Sequence, residues 1–173
     1  KAVDWLFDHQ EDNGSWYGKW GVCYIYGTWA AVTGLRAVGI KKDHPSILKA
    51  IRWLEKIQHN NGGWGESCHS ATIKQFVKLP FSTPSQTAWA LDALLTVRGP
   101  NALSVNQAVQ YLLNVEESDV QSLNYPTGLG RLLYSLRKLQ YPISIIGIRT
   151  FHCLTFQKII SVGVIVMKFL IKH

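Results

Sequence analysis

Residues 1–16, KAVDWLFDHQEDNGSW, return 48 positions further on as residues 49–64, KAIRWLEKIQHNNGGW. Eight of the sixteen aligned positions are identical: Lys1/Lys49, Ala2/Ala50, Trp5/Trp53, Leu6/Leu54, Gln10/Gln58, Asn13/Asn61, Gly14/Gly62 and Trp16/Trp64. A period near 50 residues belongs to stacked supersecondary units, none of which can bury its apolar face alone. Each copy reads as an amphipathic helix stopped by Asn-Gly or Asn-Gly-Gly, because these residues tolerate the positive φ that ends a helix.

The chain between the copies predicts a second kind of helix. It runs from about 27 to 38 (GTWAAVTGLRAV), with a counterpart from about 85 to 97 (SQTAWALDALLTV). Both are nearly free of charge and rich in Ala, Leu and Trp, as suits helices enclosed on most sides. The first kind is typified by 45–58, PSILKAIRWLEKIQ, with Ile47, Ala50, Ile51, Leu54 and Ile57 on one face and Lys49, Arg52, Glu55 and Lys56 on the other. That is an outer helix packed on one side. Asp43 or Ser46 is the expected cap, with Pro45 in the first turn. A third outer helix is predicted over 104–114, where Ala108, Tyr111 and Leu112 echo Ala50, Trp53 and Leu54. Residues 1–10 repeat the helix body without a cap, so the chain reads as beginning in mid-helix. The expected fold is all-α: part of an (α/α) barrel or toroid of alternating inner and outer helices, since three to five helices make only a portion of such a ring.

Composition adds limits. The chain has 173 residues, a formal charge of +7, seven Trp and 47% hydrophobic residues, enough apolar material to exclude disorder. Residues 1–130 hold eleven basic and eleven acidic residues and every Trp, whereas 131–173 hold seven basic residues and no acid. The basic surplus thus belongs to one tail and is no argument for nucleic acid. Cys23, Cys68 and Cys153 are odd in number and show no CxxC spacing, so neither a disulfide framework nor a zinc site is expected. No leader is visible at Lys1, and no run of 18 apolar residues exists.

The pattern Gln-x-x-x-Gly-x-Trp, at Gln10, Gly14, Trp16 and again at Gln58, Gly62, Trp64, resembles the QW motif of the triterpene cyclases. Residues 12–35 (DNGSWYGKWGVCYIYGTWAAVTGL), 62–68 (GGWGESC) and 82–95 (STPSQTAWALDALL) are similar, in the same order, to that family's C-terminal barrel domain. The nearest likeness is to the bacterial squalene-hopene group, and within it to tetraprenyl-curcumene cyclases with sporulenol-like products. The resemblance covers 1–130, the expected cyclase domain. Residues 131–173 do not match and form a separate basic tail, read either as a shifted reading frame or as a membrane-anchoring extension.

What the resemblance implies is proton-initiated cyclisation, an isomerase chemistry without cofactor or metal. An Asp protonates a polyene, and aromatic faces stabilise the resulting carbocations, which a nucleophilic base would quench. The family's Asp-x-Asp-Asp acid motif is absent; Glu11-Asp12 belongs to a surface turn, so no catalytic acid is assigned and the donor is expected before Lys1. The resemblance places Trp20 on the cavity wall, against the alternative of a core Trp. It sets Tyr26 in the network behind the acid, against a phenol bound to a backbone carbonyl, and Tyr24 as a further wall residue. Cys23 stands where squalene-hopene enzymes often carry Asn. Trp29 and Trp89 face either the cavity or a neighbouring helix.

Gln10, Gly14, Trp16, Gln58, Gly62 and Trp64 are expected to be structural, the Gln amides meeting helix-end backbone and the Trp rings packing between units. Glu66, Ser67, Cys68 and His69 form a polar cluster in which a Cys/His nucleophilic pair is conceivable, though nothing orients it. His9, His44 and His59 are expected in solvent. The implied partners are an apolar polyprenoid, squalene or tetraprenyl-curcumene, and a membrane surface, with a cytoplasmic monotopic location and no nucleic acid. Two rivals stand beside this reading: an inactive truncated remnant, and a protein prenyltransferase β-subunit-like toroid, for which no Asp, Cys and His zinc set is evident.

Overall fold

The structure is a computed structural model that describes residues 1–19, 22–115 and 125, all in the first of two compact units. Their elements are α1 (Ala2–Asp8), α2 (Cys23–Ala37), α3 (Pro45–Ile57), α4 (His69–Ile73), α5 (Pro84–Leu95) and α6 (Leu103–Asn114). The only β pairing among the described residues is an isolated antiparallel bridge between Glu66 and Lys78. The all-α expectation is met.

The two kinds of helix differ in burial as their sequences require. On α2, eight of fifteen residues are buried, from Cys23 to Leu35, and its main partner is α5, the other inner helix. On α3 a stripe of Ile47, Ala50, Ile51, Trp53 and Leu54 is buried while Lys49 and Glu55 stay at least partly accessible. The core joins Ile25, Val32 and Leu35 of α2, Ile47, Ile51 and Leu54 of α3, and Leu91 and Leu94 of α5, all fully enclosed. Each such side chain contributes about 1.5–3 kcal/mol through removal from water.

Helix ends show where local chemistry departs from the sequence reading. α3 is capped by neither Asp43 nor Ser46: His44 is the N-cap, its Nδ1 accepting from the Ser46 amide at 3.3 Å while Pro45 opens the helix. α5 begins at Pro84 behind Thr83, whose hydroxyl accepts from the Gln86 amide at 3.4 Å. α2 closes in a Schellman turn, with Ile40 donating to the Leu35 carbonyl at 3.0 Å, Gly39 to Arg36 at 3.1 Å, and Gly39 at φ +90°. Unforeseen is α4, within the segment that separates the second turn from α5. That segment brings Phe76 edge-on to Trp53, centroids 5.3 Å apart.

Candidate functional site

The paired turns are built alike, atom for atom. Gln10 Nε2 donates to the Gly14 carbonyl at 2.8 Å and to the Ser46 carbonyl of α3 at 2.8 Å. Gln58 Nε2 donates to Gly62 at 2.8 Å and to Ser104 of α6 at 2.9 Å. The indole of Trp16 donates to the Leu6 carbonyl at 2.6 Å and that of Trp64 to Leu54 at 2.8 Å. The amides of Trp16 and Trp64 each donate at 3.0 Å to a threonine hydroxyl one turn into the following inner helix, Thr28 and Thr87. Gly14 and Gly62 hold φ of +100° and +87°, and a Cβ on either would overlap the next outer helix, at Lys49 and Gln107 respectively. These turns clamp the end of one outer helix to the start of the next and to an inner helix.

Glu66 joins the second turn to the first inner helix. Its side chain is fully buried, and Oε1 and Oε2 accept from the Tyr24 amide at 3.0 Å while Oε2 accepts from Ile25 at 2.9 Å. An anion at a helix N-terminus meets unsatisfied amides and the positive end of the helix dipole. This anchor explains why α2 starts at Cys23, four residues before the position read from sequence. Gln86 of α5 braces Glu66 in turn: its Oε1 accepts from the Glu66 amide, and its Nε2 donates to the Glu66 carbonyl at 3.1 Å. Burial holds the Glu66 carboxyl above its ordinary range, against bonds from Ile25, Tyr24, Ser70 and Cys23 that pull it down. The sequence reading placed Glu66 in a loose polar cluster. The signal that could have found it is its isolation, as the only carboxylate between Glu55 and Asp92, set between Gly65 and Ser67.

The inner helices carry an aromatic group on their half-buried side. Trp29 and Trp89 stack with centroids 6.0 Å and planes 18° apart; Tyr26 lies 5.3 Å from Trp89 and 5.7 Å from Trp29. Trp29 Nε1 donates to Asp92 Oδ2 at 2.7 Å. Tyr24, two residues from Tyr26, sits about 200° around the helix and cannot share that side. Its ring is buried, 4% exposed, edge-on to Tyr17 at 5.5 Å, and burial pushes its phenol up to about 12. Cys23 is buried too, its thiol pushed up to about 11 by burial. Trp20 lies outside the described residues.

Of the polar cluster, His69 is exposed, with its amide on Ser67 Oγ at 3.1 Å, and the Cys68 amide meets the Tyr125 hydroxyl at 3.0 Å. Of the histidines expected in solvent, only His9 is exposed, its ring 4.1 Å from that of Trp5. His44 caps α3 and stacks on Phe7 at 4.7 Å. His59 is half-buried, Nδ1 bonded to Ser82 Oγ at 2.8 Å, and Ser82 Oγ donates to Asn61 at 2.8 Å. Burial and the charge of Lys78 hold the imidazole below its usual range, against a smaller upward pull from the Leu79 backbone. His59 and Asn61 border a cleft of about 350 Å³ with Asn60, Lys78 and Pro80. Among the described residues no group of His, Cys, Asp or Glu is arranged to hold a metal ion, and no helix is long and apolar enough to cross a membrane.

The family model described as the squalene-hopene cyclase C-terminal domain matches residues 1–141. The chain belongs to the squalene-hopene cyclase family. The match runs past the composition change at 131. Sporulenol synthase of Bacillus subtilis is 58% identical over 130 residues, covering 75% of this chain and 21% of that protein. The squalene–hopene cyclase of Zymomonas mobilis is 44% identical over 131 residues, covering 75% and 20%. The dammaradiene synthase of Dryopteris crassirhizoma is 36% identical over 133 residues, covering 69% and 19%. The chain therefore spans about a fifth of the length of these relatives. The likeness to triterpene cyclases read from the two turns is thereby borne out, and the prenyltransferase alternative has no support.

Proposed function

We propose that this chain is the C-terminal barrel portion of a longer terpene cyclase that folds a polyprenoid, squalene or tetraprenyl-curcumene, against an aromatic wall and guides its cyclisation through carbocations. The observation that carries the reading is the half-buried aromatic group of Tyr26, Trp29 and Trp89 on two inner helices, in a chain of this family. Rings present π faces that attract a cation by about 0.5–2 kcal/mol each without offering it a lone pair. Trp20 is assigned to substrate contact by the family resemblance alone, and Tyr26 packs with Trp29 and Trp89 in the aromatic group. The Gln10, Trp16, Gln58 and Trp64 turns are scaffold. Because an apolar polyene partitions into lipid, the whole protein is a peripheral membrane enzyme that takes substrate from one leaflet.

No Asp-x-Asp-Asp occurs in the 173 residues, so the proton donor is assigned to sequence outside them and the chain alone is inactive. Two assays test this. Incubation of the chain with squalene and with tetraprenyl-β-curcumene, followed by gas chromatography, is expected to return substrate unchanged; a cyclic product would overturn the assignment of the donor. Replacing the matching stretch of the B. subtilis sporulenol synthase with residues 1–130 is expected to preserve sporulenol formation. A folded chimera that makes no product from its substrate would overturn the functional reading.

A further inference from the structure

The two inner helices carry only two charged side chains, Arg36 and Asp92, so Asp92 is their only acid. It is half-buried and sits directly against the aromatic group, through the 2.7 Å bond from Trp29. The contrast with the other indoles is instructive. Trp16 and Trp64 satisfy their ring N–H groups with the backbone carbonyls of Leu6 and Leu54, which is all that burial of an indole demands. Trp29 is given a charged acceptor instead. Helix packing does not explain it, since α2 and α5 already pack together as main partners, with Ala31, Val32 and Leu35 on one and Ala90, Leu91 and Leu94 on the other buried.

We propose that Asp92 is a positioning residue that acts through the Trp29 indole, fixing the Trp29–Trp89 stack and raising its π-electron density so that the platform with Tyr26 selects an alkylated cation over a neutral group of the same shape. The inference rests on the reading of this face as cavity wall. A hydrogen bond to a carboxylate is charge-assisted, shorter and about twice as strong as a neutral one. It withdraws the proton from the indole nitrogen and returns electron density to the ring, where the quadrupole that attracts cations resides. With its nearest oxygen held by the N–H, the carboxylate also contributes a fixed negative charge beside the platform. An apolar polyene gains nothing from such an arrangement; its cyclisation cations do.

The test uses the 173-residue chain and two isosteric probes, choline and its neutral carbon analogue 3,3-dimethylbutan-1-ol. Binding is followed through indole N–H signals in ¹H–¹⁵N spectra, with the Trp29 signal assigned by Trp29→Phe. The wild-type chain is expected to show the Trp29 proton downfield of the other indoles and to prefer choline. Asp92→Asn keeps an acceptor and removes the charge. It should move that proton upfield and reduce the choline preference roughly threefold, leaving the neutral probe unaffected; Asp92→Glu should restore most of it. Equal affinity of the wild type for both probes would overturn the proposal, as would Asp92→Asn weakening both alike, the mark of a merely structural role. If Asp92→Asn does not fold, Asp92→Glu and Trp29→Phe decide by the same ratio of affinities. The outcome is separable from the chimera assay. A chimera without product beside an intact choline preference would reject the functional reading alone, and an active chimera beside a chain without that preference would reject this inference alone.

Discussion

The buried carboxylate of Glu66 accepts from the amides of Tyr24 and Ile25, in a place without solvent. Glu66→Gln keeps the shape but turns one oxygen into an NH₂ that faces the amides of α2. The expected loss is about 2–4 kcal/mol, read from the urea midpoint, because buried donors are left without acceptors. Thr28→Val is a smaller version of the same experiment. It removes the acceptor for the Trp16 amide and should cost about 1–3 kcal/mol, whereas Thr33→Val, whose hydroxyl bonds back to the Trp29 carbonyl of its own helix, should cost less than 1 kcal/mol. At this scale the sequence was only partly legible. Gln10, Trp16, Gln58 and Trp64 announced themselves by recurring, but Glu66 occurs once, and the partners of its carboxylate are backbone amides that no side-chain pattern records.

At the level of elements, the glycines separate conformation from contact. Gly39 and Gly62 have nearly equal φ, +90° and +87°, yet a Cβ at Gly39 meets nothing within 4 Å while one at Gly62 overlaps the Gln107 backbone. Gly39→Ala should therefore cost only the backbone term of about 1–2 kcal/mol. Gly62→Ala must add the displacement of α6 and should cost at least about 3 kcal/mol; comparable thermal midpoints for the two variants would show that the turn does not depend on that approach. The helices themselves were legible from periodicity, since four of the five residues that the sequence puts on the buried face of α3, Ile47, Ala50, Ile51 and Leu54, are buried, while Ile57 at its end is half-buried and Trp53 is buried in addition. Their beginnings were less so. α2 starts early because a carboxylate 42 residues after Tyr24 caps it, and α3 is capped by His44, a residue whose ordinary preference is not for that position.

For the unit as a whole, His59 makes stability depend on pH. Its imidazole is held below the ordinary histidine value, so folding favours the neutral form. That contribution is complete above about pH 6.5, the unfolded value, and is lost as pH falls through the lower folded value. The urea midpoint should drop between pH 7 and pH 5, and His59→Gln should flatten that drop; an unchanged slope would remove His59 as its source. The family could be read from sequence because two turns and three flanking blocks recur in order. The aromatic platform could not, since Tyr26, Trp29 and Trp89 come from two helices and only packing shows that their rings touch.

The two glutamine clamps span unequal lengths of chain, 36 residues from Gln10 to Ser46 and 46 from Gln58 to Ser104, with almost the same bond lengths. Each clamp specifies where the next outer helix begins without measuring what lies between. The stretch between the ends of a clamp can thus differ in length, as it does where α4 and the residues after it lie between Gln58 and Ser104, while the clamp bonds stay the same. A change of length there leaves both anchor points of the clamp in place, so lengthening the α4 segment by a few residues is expected to cost the architecture little.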